Sequence, residues 1–126
     1  MRASLVMLLL GLAVAQAQFG WVRNSRRFIK EAKLGTQDMI RAYQDMKKAD
    51  TKHSDRYFHA RGNYDAAQRG RGGLFAAKVI SNGREIYNFI KGDDRGDIAA
   101  DQFANRWGRY GGDPNRFRPK GLPSKY

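Results

Sequence analysis

The sequence contains no cysteine, only two histidines and only three prolines among its 126 residues. Without cysteine the chain can form no disulfide and offers no thiolate to a metal ion. His53 and His59 are separated by a spacing that places them on different faces of a helix, which predicts no histidine-type metal site. The serines are few, and both histidines sit in one short segment beside arginines. The sequence therefore predicts no enzyme active site.

Long apolar runs are also scarce, and the one at the N-terminus is short. Residues 5–14 follow a positively charged start and precede Ala15-Gln16-Ala17, a small-x-small cleavage motif. A membrane-spanning helix needs about 20 apolar residues, more than this run supplies. We predict a secretory signal peptide over residues 1–17, no transmembrane segment, and one secreted domain over residues 18–126. A retained membrane anchor is the alternative.

Helical periodicity dominates this domain, and no alternating strand pattern persists. The first predicted helix spans residues 19–48 and carries an apolar repeat of heptad type. Gly35 and the adjoining threonine weaken its middle, where a bend or break is expected. The second predicted helix spans residues 54–69. Glycines 70, 72 and 73 are expected to end it, because glycine tolerates the left-handed conformation at a helix C-terminus.

Two further helices follow the glycines. The third predicted helix begins after Gly73, and Gly83 within it is expected at a close helix contact, since glycine is costly in a helix interior. The fourth predicted helix spans residues 97–110, with acidic residues near its start. Its inward stripe is predicted to be Ala99, Phe103, Trp107 and Tyr110.

The last part of the chain, residues 111–126, lacks helical periodicity. Its prolines, Pro114, Pro119 and Pro123, forbid a regular helix through most of it. The apolar residues between them favour a tail that lies against the helices. The predicted fold class is all-α: a small four-helix bundle with an extended, Pro-containing C-terminal tail.

Basic residues outnumber acidic ones by 24 to 12, which gives a formal net charge of +12. Such an excess attracts polyanions over long distances. A secreted chain would meet sulfated glycosaminoglycans, anionic lipid or bacterial surfaces, and we predict no nucleic-acid partner. The alternative is a solvated surface that keeps the protein soluble. The candidate polyanion-binding residues are Arg23, Arg26, Arg27, Arg61 and Arg84.

Two of the predicted helices are amphipathic. The first has an apolar face beside a strongly basic one, and the third presents a similar apolar stripe, a pattern typical of helices that lie at a lipid interface. The alternative is that both faces form the bundle core. The candidate lipid-binding residues are Phe19, Trp21, Val22, Phe28, Ile29, Met39, Ile40, Tyr43, Phe75, Val79, Ile86 and Ile90.

One stretch of sequence is too irregular to arise from periodicity alone. The segment Ala60-Arg61-Gly62-Asn63-Tyr64-Asp65-Ala66 is followed by Arg69-Gly70-Arg71-Gly72-Gly73. Further matching segments include Trp107-Gly108-Arg109 and the run from Asp113 to Tyr126. These residues resemble the serum amyloid A family, and the resemblance covers essentially the whole predicted mature chain.

The resemblance implies a four-helix bundle and a function. Serum amyloid A proteins are acute-phase, exchangeable apolipoproteins of high-density lipoprotein that bind phospholipid. They bind heparan sulfate, and Arg84 matches an arginine that the family uses. They also carry retinol in the cavity of an oligomer and engage innate-immune receptors. Beyond retinol or another lipid as ligand, no cofactor is expected. A cationic host-defence or innate-immune signalling protein that binds polyanions or receptors is the alternative function.

The chain departs from the family pattern in places. Arg71 stands where the glycine loop usually has proline, and Phe75 where tryptophan is common. Residues 22–27 form a more charged start than the phenylalanine-rich start of many members. Because charge opposes β-stacking, we expect this start to weaken aggregation and to lower the affinity for lipid.

Overall fold

A computed structural model describes the backbone of residues 2–126, the side chain of Met7 and the side chains of residues 23–126. The elements are α1 (Arg2–Ala49), α2 (Asp55–Gln68), α3 (Arg71–Ile90), α4 (Arg95–Arg109) and a short 3-10 helix (Pro114–Phe117). No strand occurs in these residues, so the prediction of an all-α bundle of four helices is confirmed. The predicted signal peptide, residues 1–17, stays a prediction.

Helix α2 lies at the centre of the bundle, because it contacts α1, α3, α4 and the 3-10 helix. Helices α2 and α3 form a tight hairpin whose turn is Gly70, with φ of +117°. A side chain is strained at this φ, so glycine is required there. Helix α4 begins at Arg95, two residues before the predicted start, because the Asp94 carboxylate accepts a hydrogen bond from the Asp97 N–H at 3.1 Å.

The structure contradicts the break expected at Gly35 and the assignment of Gly72 and Gly73 to the end of α2. Helix α1 continues through Gly35 without a break. A Cβ at Gly35 would lie 2.7 Å from the Cα of Gly73, so this glycine lets two helices approach closely. Gly72 and Gly73 do not end α2 but lie buried in the first turn of α3. Side chains there would overlap the backbone of α1 and α2, so both glycines serve packing.

Two predictions about the second half are also wrong. Gly83 has open space where its side chain would be, so it marks no helix contact. The inward face of α4 is not the predicted apolar stripe: Phe103 and Tyr110 are exposed. The buried residues of α4 are instead Ala104, Asn105, Gly108 and Arg109. They fit because a side chain at Gly108 would overlap the Ala60 carbonyl of α2, so only glycine permits this approach.

Among the side chains that the structure describes, the apolar core consists of two small clusters. The first contains Met39, Ala66 and Ala77, with Tyr43 and Ile80 packed against it. Alanine and glycine supply much of the remaining interior, so the helices pack nearly backbone to backbone. Few large apolar side chains are therefore used to hold the bundle together.

The second cluster attaches the C-terminal tail. Leu122 is buried with Tyr57 and Phe58 of α2, and Phe117 packs against them. The Tyr57 hydroxyl donates a hydrogen bond to the Tyr126 carbonyl, and the Tyr126 ring meets the Phe58 ring edge-on at 5.7 Å. The tail thus lies against the bundle, as predicted, and it covers one end of α2.

Candidate functional site

The outer face of α3 is an exposed apolar surface. It carries Phe75, Val79, Ile86 and Ile90, which recur at helical spacing and therefore share one stripe of the helix. Their exposed fractions run from 53% at Phe75 and 54% at Val79 to 60% at Ile86 and 76% at Ile90. Phe89 is exposed beside them. We call these five residues the α3 stripe. Monomeric proteins rarely leave so many large apolar side chains together in water.

Helix α1 extends this surface at one end. The Phe28 ring lies 5.5 Å from the Phe75 ring, and Ile29 next to it is exposed. Ile40 is exposed farther along α1. The structure therefore places Phe28 beside the α3 stripe and leaves Ile29 and Ile40 exposed on α1.

Two other predicted lipid contacts of α1, Met39 and Tyr43, do not lie on that surface. Met39 is fully buried in the core, and Tyr43 is half-buried against it. Either could meet lipid only after α1 separates from α2 and α3. Phe19, Trp21 and Val22 lie outside the residues whose side chains are described. The lipid-binding assignment of all these residues stays a prediction.

The predicted polyanion-binding arginines do not form one site. Arg23, Arg26 and Arg27 are exposed on α1. A shallow groove of about 580 Å³ continues this basic surface and is lined by Arg27, Lys30, Glu31, Leu34, Arg69, Gly70 and Arg71. Arg69 forms a bidentate pair with the buried Asp38 carboxylate, at 2.8 and 3.0 Å. The arginine anchors this wall of the groove, because a paired, buried carboxylate holds it in place.

Arg61 and Arg84 lie elsewhere. Arg61 pairs with Asp45 at 2.5 Å, and the Arg84 guanidinium stacks 4.7 Å from the centre of the Tyr43 ring. Both contacts are at the far end of α1, about 24 Å or more from Arg27 at 1.5 Å per residue. A single short polyanion would therefore not contact the exposed arginines of α1 and Arg84 at the same time.

The interior contains a polar network that sequence reasoning missed. Asn63 of α2 donates to the Asn105 side chain at 3.0 Å, and Arg109 donates to Asn63 at 3.2 Å and to Ser81 at 3.0 Å. All four residues are buried. Burial lowers the pKa of Arg109, but the arginine keeps its charge because its ordinary pKa is so high. This network joins α2, α3 and α4 through hydrogen bonds where an apolar core would be expected.

Next to the network lies a cluster of ionisable side chains: His59 of α2, Glu85 of α3 and Asp101 of α4. One ligand atom from each lies within 4.8 Å of the other two. Burial, and then the nearby Arg84 charge, lower the pKa of His59 to about 4. The imidazole is therefore neutral at pH 7. Sequence reasoning considered only the histidines, and no spacing could reveal carboxylates contributed by other helices.

The buried surroundings disfavour the ionised form of both carboxyl groups in this cluster. Burial, and then the Glu85 charge, raise the pKa of Asp101 to about 6. Burial is also the main cause that raises the pKa of Glu85. The Tyr43 phenol nearby has its pKa raised to about 12, again chiefly by burial. The cluster thus brings two carboxyl groups and a neutral imidazole together in a largely buried place, with Asp101 partly in contact with solvent.

These features define a class of protein: a small helical bundle with a compact polar interior and amphipathic helices whose apolar faces remain in solvent. In the part of the chain that the structure describes, no helix has the length and apolarity needed to span a membrane.

Comparison with known proteins places the chain within this class. Residues 26–126 match the sequence model of the family described as serum amyloid A protein. The chain is 55% identical to serum amyloid A-3 protein of Mus musculus over 126 residues, which cover 100% of both chains. It is 56% identical to serum amyloid A protein of Notamacropus eugenii over 122 residues, 94% of each chain. Serum amyloid A-1 protein of Mesocricetus auratus is 66% identical over 100 residues, 79% of this chain and 82% of the relative. The chain belongs to the serum amyloid A family, a family of acute-phase apolipoproteins.

Proposed function

We propose that the protein is a secreted acute-phase apolipoprotein that binds the phospholipid surface of high-density lipoprotein. The exposed α3 stripe is the observation that carries this proposal. Burying such side chains at a lipid interface is favourable by about 25 cal/mol per Å² of apolar surface. The α3 stripe is already exposed, and the interior depends little on large apolar side chains. Lipid can therefore contact the stripe without unfolding the bundle.

Basic residues would support this binding at the edges of the apolar surface. Arg26 and Arg27 directly precede Phe28 on α1, and lysine or arginine near an anionic surface contributes about 1 kcal/mol each. The same arginines, with Arg23, are proposed to contact heparan sulfate. Arg61 should contribute less because Asp45 already neutralises it. Retinol would be a ligand of the lipid-free protein, which we propose to be a homo-oligomer that covers the α3 stripe.

The test is clearance of phosphatidylcholine vesicles by the chain from Gln18 to Tyr126, followed by light scattering and by circular dichroism at low and high salt. We expect clearance in both conditions, because apolar burial is not screened by salt. Val79→Asp combined with Ile86→Asp should abolish clearance without unfolding the bundle, since both residues are exposed. Met39 is unsuitable for this test because its burial would confound binding with folding.

The matched control introduces the same charge on a polar surface. Gln37→Asp combined with Gln44→Asp changes two exposed residues of α1 and should leave clearance unchanged. Normal clearance by the folded Val79→Asp, Ile86→Asp variant would refute the assignment of the α3 stripe to lipid.

The exposed arginines of α1 favour a second candidate function, that of a cationic host-defence or innate-immune signalling protein that binds polyanions or receptors. Affinity for a polyanion falls steeply with ionic strength, because binding releases counterions. Reversing the charge of Arg26 and Arg27 should therefore weaken heparin binding strongly and vesicle clearance little. Binding only to anionic vesicles, and only at low salt, would favour this second function over the first.

A further inference from the structure

The buried cluster of His59, Glu85 and Asp101 has the composition of a metal site. Its three side chains come from α2, α3 and α4, and one ligand atom of each lies within 4.8 Å of the others. The Nε2 atom of His59 is 3.8 Å from Oδ2 of Asp101. A tetrahedral zinc ion with bonds of about 2.0–2.1 Å holds its ligand atoms about 3.3 Å apart. Small side-chain rotations would close the cluster to that geometry.

Unsatisfied polar atoms are concentrated at this place. In the described part of the chain, the buried side-chain atoms without a hydrogen-bond partner include Nδ1 of His59, Oε1 of Glu85 and the Tyr43 hydroxyl. His59 and Glu85 are each 3% exposed, and the Tyr43 ring meets the His59 ring edge-on at 5.8 Å. A buried polar atom without a partner is costly, by about 1–3 kcal/mol. Oε1 of Glu85 belongs to the cluster, so an ion bound between the cluster's side chains would give this oxygen the partner that it lacks.

The surroundings hold two of the three ligands in place. Arg56 approaches Oδ1 of Asp101 at 3.8 Å, on the oxygen that does not face His59. The Asn88 amide donates to Oε2 of Glu85 at 3.5 Å, which leaves Oε1 without a partner. Such neighbours orient metal ligands in known sites. Arg56 and Arg84 add positive charge near the cluster and will lower its affinity for a cation.

The choice of ligands selects the type of ion. One imidazole and two carboxylates suit zinc and its neighbours among the transition metals, whereas calcium and magnesium prefer oxygen ligands alone. We propose that His59, Glu85 and Asp101 bind a divalent transition-metal ion, preferentially zinc, with water completing the coordination. The ion would link α2, α3 and α4 and would stabilise the bundle independently of lipid binding.

The experiment is a calorimetric titration of the protein, purified from the medium of expressing cells and freed of metal with a chelator, with zinc chloride. We expect one zinc ion to bind per chain and the melting temperature to rise with zinc concentration. Cobalt(II) should give the visible absorption of a four-coordinate ion. Glu85→Gln and Asp101→Asn should each lower the affinity by at least tenfold and remove the cobalt absorption.

Matched variants separate this site from surface binding. Asp97→Asn alters an exposed carboxylate of the same helix α4, and His53→Gln removes the exposed histidine. Both should bind zinc as the wild type does. Circular dichroism of each metal-free variant checks folding, and Asp101→Asn carries the test if Glu85→Gln does not fold. Failure of the wild type to bind zinc, full binding by Asp101→Asn, or loss of binding in His53→Gln would overturn the proposal.

Discussion

The interior of the bundle and the outer face of α3 have exchanged the compositions that globular proteins usually give them. The interior holds Asn63, Asn105 and Arg109 among alanine and glycine, while phenylalanine and isoleucine occupy the α3 stripe in solvent. Polar groups in the interior require specific partners, whereas apolar groups outside require only a nonpolar surface. The comparison teaches that close backbone contact and hydrogen bonds specify this fold. Many of its large apolar side chains remain on the surface, where they can meet a nonpolar partner.

The strongest way to break the interior is to add one methyl group where helices touch. Gly108→Ala places its Cβ against the Ala60 carbonyl, and a backbone carbonyl cannot move aside as a side chain can. We expect the free energy of unfolding to fall by about 3 kcal/mol or more, measured by urea denaturation.

The control for that change is another helical glycine. Gly83→Ala meets open space and should raise the free energy of unfolding by up to about 1 kcal/mol, because alanine favours the helix. Equal effects at the two positions would mean that the close contact between α2 and α4 does not stabilise the fold.

A second prediction compares an interior polar residue with an exterior apolar one. Asn63→Ala removes the amide that joins Asn105 and Arg109, so it leaves buried groups without partners. We expect a loss of about 1–3 kcal/mol in unfolding free energy by thermal or urea denaturation of lipid-free protein. Ile86→Ala should change it by no more than about 0.5 kcal/mol at concentrations where the protein is monomeric. A larger loss at Ile86 than at Asn63 would reverse the comparison.

The third and smallest effect concerns pH in the presence of a chelator. His59 has a folded pKa of about 4, below its ordinary value of 6.5, so acid favours the unfolded chain between these values. Asp101 has a folded pKa of about 6, above its ordinary value of 3.8, so acid favours the folded chain over that window. The two effects oppose each other, and the wild type should change little in stability between pH 6.5 and pH 4.

Asp101→Asn removes only the second effect. Relative to the wild type, the variant should lose about 1 kcal/mol of unfolding free energy between pH 7 and pH 5. We expect no more than this because Asp101 is partly solvated. Parallel stability curves for variant and wild type, measured by urea denaturation at each pH, would contradict the raised pKa of Asp101.

The sequence predicted the number of helices and four of the five residues of the α3 stripe, all but Phe89, because periodicity reveals which residues lie on one face. It could not reveal whether that face points inward. Phe103 and Tyr110 of α4 were assigned to the interior on the assumption that interiors are apolar, but Gly108 and its buried neighbours occupy it. Hydrophobic periodicity does not identify an inward face that consists of polar and small residues.

The buried cluster could not be predicted for a different reason. His59, Glu85 and Asp101 are far apart in sequence and meet only when three helices pack. Nor did the pattern distinguish glycines that end helices from Gly35 or Gly72, which allow helices to touch. The position of the cluster and the role of each glycine both depend on contacts between helices, which the sequence of a single helix does not reveal.

The attachment of the tail has a consequence for how the protein is digested by proteases. Lys120 and Gly121 are exposed, whereas the adjoining Leu122 is buried with Phe58. A protease that cuts after lysine would find this bond on the surface, as loop tips generally are. One cut there would release residues 121–126 and uncover Phe58 without severing any helix. The bond after Lys120 is therefore an exposed site at which digestion could begin while every helix stays intact.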